Sequence, residues 1–425
     1  MSQIDDLKLV EEVIPVFDYT HNQFAKKKLV EIISKPLNSE NKIYLRQNIL
    51  KGLISNNNIL SNYGYSAADL IEIYHFMRNL NSDFSKKKLF FFRKKKIYQS
   101  YKSKFIQFVL FFNRIKNLFI DRISLDAFPA EYKEELEKIK IFLNSYNLPF
   151  YEKIIHENKF KVSQVIMLLR NADNNLDIHQ FWELFFKFEA YLSISLAIVR
   201  RGFVFPHFSD GYPTIENLYH PLLSHPVKNT IKIEENIIIV NGANMAGKST
   251  FLRALSLCFY LGNIGLAVPA QKAILPRIDD FFIFLDHKDN INKGYSHFMQ
   301  ELMNLKDVLI EARNHKKCFV VFDELFTSTN YEDAFELTKS TIRGLRNFKD
   351  SIFIISTHIN KVKEIDDVKR NLVQSIFFQC NLNADGAPVF NYKLEYGWSE
   401  LQIGKILYEK TGILKLLSQD MHSID

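Results

Sequence analysis

The polarity pattern divides the chain into two unlike halves. Over residues 1–200 apolar positions recur every three or four residues with little turn punctuation, which predicts an all-α domain. Its last helix is expected over 181–200, with Leu184, Phe188, Tyr191, Leu192, Ser195 and Ile198 on one face and Glu183, Lys187 and Glu189 off it. Gly202, Pro206, Gly211, Pro213, Pro221 and Pro226 then break the periodicity, so 201–230 reads as a linker. Beyond it the short apolar runs Ile237–Val240, Cys318–Phe322 and Ile352–Ile355 alternate with helical stretches. Continuous apolar strands separated by helices predict a largely parallel, buried sheet, making 231–425 an α/β domain.

Composition narrows this picture. With 425 residues, 47% of them apolar, the chain is long enough for two or three globular cores and too apolar to be disordered. The net charge is +7, yet Lys86–Lys104 alone holds nine cations and no acid, so the remainder sums to −2. That patch interleaves Phe90–Phe92, Tyr98 and Tyr101, and reads equally as a nucleic-acid backbone contact or a solvated helix face. Cys258, Cys318 and Cys380 are far apart among apolar neighbours, which suits core residues rather than a disulfide or metal framework. The acidic start Met-Ser-Gln-Ile-Asp-Asp is unlike a signal peptide, and Phe105–Phe112 is too short to span a bilayer. A cytoplasmic protein without membrane attachment is expected.

The chemistry concentrates after residue 240. Gly242-Ala243-Asn244-Met245-Ala246-Gly247-Lys248-Ser249, followed by Thr250, matches G-x-x-x-x-G-K-[ST] between an expected strand and an expected helix. Glycines let consecutive N–H groups curl around phosphate, Lys248 offers a point charge, and the Ser249 hydroxyl suits Mg²⁺. Phe319–Phe322 leads into Asp323 and Glu324, adjacent carboxylates that need a cation nearby. Asp323 is the candidate Mg²⁺ residue and Glu324 the candidate general base. His358 follows the third strand, where it could contact a γ-phosphate or the attacking water. Lys248, Glu324 and His358 form the candidate catalytic set for ATP hydrolysis. Ser296, within Lys293–Glu301, reads locally as a helix entry, or else as a signature residue facing a nucleotide held by a second subunit.

Asn241–Thr250, with its Asn-Met between the loop glycines, resembles the Walker A element of the MutS family of DNA mismatch-repair ATPases. Gly294, Ser296, Phe298, Met299 and Glu301 fall on that family's signature positions. Ser356-Thr357-His358 is similar to its Ala-Thr-His, and Tyr396-Gly397-Trp398-Ser399, Ile403-Gly404 and Lys410–Ile413 to its C-terminal segment. Phe203–Ser209 and Leu218–Leu223 resemble the entry to its ATPase; Ala25–Leu29, Pro36-Leu37 and Ile43–Ile49 resemble the start of its helical core. The resemblance implies an ABC-class P-loop ATPase domain behind an all-α core and lever domain. It further implies a homodimer closed around two ATP molecules with Ser296 acting in trans, Mg²⁺ as cofactor, and DNA as partner. The family's mismatch-reading and connector domains find no counterpart here, so mostly phosphate contacts to DNA are expected.

Two departures stand out. Where the family has Gly-Arg-Gly-Thr-Ser after the acids, this chain has Leu325-Phe-Thr-Ser-Thr329-Asn330. No aromatic for stacking adenine is evident near His225–Asn229, which offers His225 or Val227. A transporter nucleotide subunit and a DNA-independent P-loop switch or kinase remain the competing classes. The first lacks its Ser-Gly-Gly signature here, and the second leaves the signature segment unexplained.

Overall fold

The computed structural model describes residues 3–83, 95–157, 159, 178–242, 245–285, 297–384, 386–399, 403–413 and 417. The chain forms two compact units, one of residues 14–35 and 41–200, the other of 1–13, 36–40 and 201–425.

The first unit is helical. Its longer helices are α1 (Gln23–Ser34), α2 (Glu40–Ser55), α3 (Ala67–Asp83), α4 (Lys95–Leu118), α5 (Ala130–Ser145), α6 (Leu148–His156) and α7 (Ile178–Arg201). In α4, Phe105, Phe108, Val109, Phe112 and Ile115 are buried, the spacing of one helix face. Aromatic rings fill much of this core: Phe142 and Phe181 stack with centroids 3.9 Å apart, and Phe112 meets Phe181 edge-on at 5.5 Å. Helix α7 is buried on nearly all sides, which corrects the amphipathic reading at one position. Glu189 is 1% exposed. It accepts the His21 N–H at 2.7 Å and Asn22 Nδ2 at 3.0 Å, and Tyr65 Oη donates to it as well. Asn22 in turn caps α1 by accepting the N–H groups of Phe24 and Ala25.

The basic stretch Lys86–Lys104 lies outside the described residues as far as residue 94; from Lys95 its backbone belongs to α4. No helix of the described residues is long and apolar enough to cross a membrane.

The second unit is α/β. Its elements run β1 (His207–Phe208), β2 (Thr214–Leu218), β3 (Asn229–Lys232), β4 (Ile237–Asn241), α8 (Lys248–Asn263), β5 (Lys272–Leu275), β6 (Asp280–Phe284), α9 (His297–Arg313), β7 (Cys318–Phe322), α10 (Tyr331–Leu345), β8 (Ile352–Ser356), β9 (Gln374–Leu382), β10 (Pro388–Tyr396) and α11 (Ile403–Lys410). Residues 201–230, read from sequence as a linker, supply β1, β2 and the start of β3.

The main sheet has the order β10-β9-β4-β8-β7-β6, parallel except where β10 pairs antiparallel with β9. Strands β4, β7 and β8 are buried at every position, which is why they read as unbroken apolar runs. A second sheet has the order β1-β5-β2-β3. Near the N-terminus, Gln3 pairs with Phe282 on the outer side of β6, giving its N–H to Phe281 O at 2.7 Å. All three cysteines are free and buried.

Candidate active site

In an open parallel sheet, functional groups gather at the carboxyl ends of the strands. Here β4, β8 and β7 are consecutive neighbours, with Val240 opposite Ser356 and Ile355 opposite Phe322. The turn after β4, the residues after β8 and the acids after β7 therefore emerge side by side.

The turn after β4 has a strongly curled backbone. Gly242, Met245 and Gly247 have φ of 117°, 70° and 98°. Left-handed backbone costs a non-glycine residue about 1–2 kcal/mol, and such curls point successive N–H groups into one concavity suited to an anion. The 16-residue α8 starts at once with Lys248, so its free N–H groups add favourable potential there. Ser249 and Thr250 are exposed on its first turn, while Ala246 is buried. Ala243 and Asn244 lie outside the described residues, as does Ser296.

Lys248 is the hub. Its Nζ donates to Gly242 O at 2.6 Å and lies 3.2 Å from His358 Nδ1. The opposite nitrogen of that ring, Nε2, is hydrogen-bonded to Glu324 Oε1. A charged lysine has only protons to give, so Nδ1 accepts and Nε2 carries the hydrogen donated to Glu324. Burial pulls the Lys248 pKa down, opposed by the nearby Glu324 and Asp323 carboxylates. Asp323 is 7% exposed, and its Oδ1 has no hydrogen-bond partner among the described residues. A buried carboxylate oxygen left unsatisfied is costly, and it and the exposed Ser249 hydroxyl are both hard-oxygen donors of the kind Mg²⁺ takes.

Beside the curled turn opens a cavity of about 350 Å³, lined by Met245, Gly247–Phe251, His220, His225, Val227, Phe378 and Tyr392. His225 and Val227, the sequence candidates for an adenine contact, do reach this wall. Tyr392 carries no sequence signal. It sits at φ 56° in a bulge of β10, between Phe390 and Leu394, where the pairing with β9 shifts register. Asn229 holds that bulge: its Nδ2 donates to Tyr392 O and its Oδ1 accepts the Leu394 N–H, both at 2.9 Å. The ring lies against the turn after β4, 3.1 Å from where a Cβ on Gly247 would stand.

Asn241, the first residue of the Walker A-like segment, ends β4 and makes contacts that the sequence does not foretell. Its Nδ2 donates to Ile376 O and Gly397 O, both at 3.0 Å, and its Oδ1 accepts the Ser399 N–H at 2.9 Å. The C-terminal Gly397–Ser399 segment is thus stapled to the strand that enters the turn.

Comparison with known proteins agrees with this geometry. The family model described as MutS domain V, a P-loop ATPase domain, matches residues 238–415. The DNA mismatch repair protein MutS of a Geobacillus species is 26% identical over 213 residues, covering 48% of this chain and 24% of that protein. That of Bacillus cereus is 25% identical over 321 residues, covering 69% of this chain and 35% of its own length. The chain therefore matches about a quarter to a third of the length of these relatives. The chain is thus similar to MutS proteins, and its residues 238–415 match MutS domain V.

Proposed function

We propose that the protein is an ABC-class ATPase that couples the state of bound ATP to DNA, acting in mismatch repair or on related DNA structures. The observation that carries this reading is the chain Gly242–Lys248–His358–Glu324 beside the unsatisfied Asp323 oxygen, inside the region that matches MutS domain V.

Each residue then has a task that its position supports. The N–H groups of 242–250 cradle the phosphates, and Lys248 Nζ places positive charge between the β- and γ-phosphates. Ser249 and Asp323 would hold Mg²⁺, which neutralises charge on the phosphate oxygens when bound. Glu324 orients and polarises the attacking water, and His358 keeps the Glu324 carboxylate aimed through its Nε2 hydrogen. Tyr392 offers the adenine a flat face at the mouth of the cavity. Two copies closing around two nucleotides would add Ser296 of the partner subunit to each site, and the cations of Lys86–Lys104 are the candidate DNA contact.

The test is ATP turnover by the full chain, alone and with duplex, nicked or branched DNA. Stimulation by one of these, lost in Lys248→Ala, supports the reading. Mg-dependent turnover indifferent to every DNA would instead favour a P-loop switch acting on a protein partner, and absence of turnover would overturn the ATPase assignment.

A further inference from the structure

The loop that follows the candidate base is held in an expensive shape. Glu324 and Phe326 have φ of 60° and 62°, flanking Leu325 in a tight reversal. Neither residue is glycine, so each left-handed position is strained by its Cβ. Such backbone persists only where surrounding contacts over-determine it.

Those contacts come from the first turns of α9. Phe326 is 1% exposed and meets Phe298 edge-on, centroids 6.4 Å apart. One turn further, Glu301 is 9% exposed, and burial raises its pKa, opposed by His297, the Ser328 hydroxyl and the backbone of Thr327 and Phe326. Ser328 Oγ is hydrogen-bonded to His297 Nδ1 and lies 3.5 Å from Glu301 Oε1. His297 Nδ1 is itself 3.5 Å from the same oxygen. His297 and Glu301 thus hold Ser328, while Phe298 between them packs on Phe326.

We infer that Glu301, with His297 and Ser328, is a positioning clasp that holds the 325–328 loop in its left-handed path and thereby keeps Glu324 aimed at the phosphate site. The inference rests on the proposed role of Glu324, but the clasp has a physical consequence independent of catalysis. A glycine-free loop needs an external anchor to reverse where glycine would do so freely. The Glu301 carboxylate and His297 ring beside the Ser328 hydroxyl, with Phe298 against Phe326, supply one.

The experiment compares wild type, Glu301→Ala, Glu301→Gln and Ser328→Ala in the full chain, reading kcat, KM for ATP and hydrogen exchange over 323–330. Glu301→Ala should lower kcat about tenfold, the loss of roughly one charge-assisted contact, with KM within about twofold of wild type. Glu301→Gln should recover part of that loss. Ser328→Ala, at an exposed position that cannot unfold the core, should lower kcat about two- to threefold. Exchange over 323–330 should rise in Glu301→Ala with the P-loop helix unaffected. If exchange rises but wild type itself does not hydrolyse ATP, the clasp stands and the ATPase reading falls. Wild-type kcat together with wild-type exchange in Glu301→Ala would overturn the clasp. So would a loss confined to KM.

Discussion

Lys248 and His358 are 110 positions apart in the chain, yet Lys248 Nζ lies 3.2 Å from His358 Nδ1. The contact fixes the histidine tautomer, since an ammonium can only donate, and so directs the Nε2 hydrogen at Glu324. A lysine at a helix start, a strand-end histidine and an acid from a third strand are thereby linked in one chain of contacts.

Removing parts of that unit should separate binding from chemistry. Glu324→Gln is expected to retain Mg-ATP binding while lowering turnover by about 10²-fold or more, and His358→Ala to lower kcat in the same direction by less. Lys248→Ala should instead weaken nucleotide binding itself. Equilibrium binding of a fluorescent ATP analogue alongside steady-state turnover measures both, and wild-type turnover by Glu324→Gln would disprove its role as base.

The wall formed by Tyr392 makes a second expectation. Tyr392→Ala should weaken ATP affinity about tenfold, within the range of about 1–3 kcal/mol for stacking a base on an aromatic ring, with saturated kcat nearly unchanged. Asn229→Ala, which frees the bulge carrying Tyr392, should act in the same direction to a smaller extent. Equal affinities in all three proteins would remove Tyr392 from the nucleotide site.

Stability of the helical unit should depend on pH through Glu189. Burial raises its pKa from 4.5 to about 7, against hydrogen bonds from Tyr65, His21 and Asn22 that favour the charged form. Between those two values the unfolded chain releases the proton while the folded chain keeps it, so stability falls as pH rises through this window. The full effect is about 3 kcal/mol. Thermal unfolding should show a lower Tm at pH 8 than at pH 5, and Glu189→Gln should flatten that difference. A Tm that stays level over the same interval, in wild type as in Glu189→Gln, would mean the carboxylate is already charged in the folded protein at pH 5.

Salt decides the role of the basic stretch. If Lys86–Lys104 lies along a DNA backbone, log Kd should vary linearly with log salt at about 0.9 per phosphate neutralised. Changing Lys94, Lys95 and Lys96 together to Gln should then reduce the slope by up to about three, alike for all DNA sequences, and leave DNA-free turnover as it was. An unaltered slope would return the patch to a solvated helix face.

Local patterns in the sequence carry much of the architecture. Residues 237–240, 318–322 and 352–355 read as buried strands because a parallel strand covered on both faces has no polar face to show, and the structure has strands at all three. The turn at Gly242–Lys248 is legible because a tight phosphate-binding curl needs glycine at fixed spacing. Periodicity misplaced Glu189, since it reports the average polarity of a face and not the partners waiting at one position. Tyr392 was silent for a related reason: a single residue of bulge, held by an asparagine 163 positions away, leaves no local trace.

What the sequence determined by itself was therefore the identity of the elements and the chemistry available at their ends. Tertiary structure decided which ends meet. Placing β8 between β4 and β7 brings His358 between Lys248 and Glu324. Packing α9 against the loop after β7 lets Phe326, with no glycine's freedom, hold a left-handed backbone. Strand order and helix docking are set by which buried surfaces fit together across the whole unit, and no window of neighbouring residues contains that information.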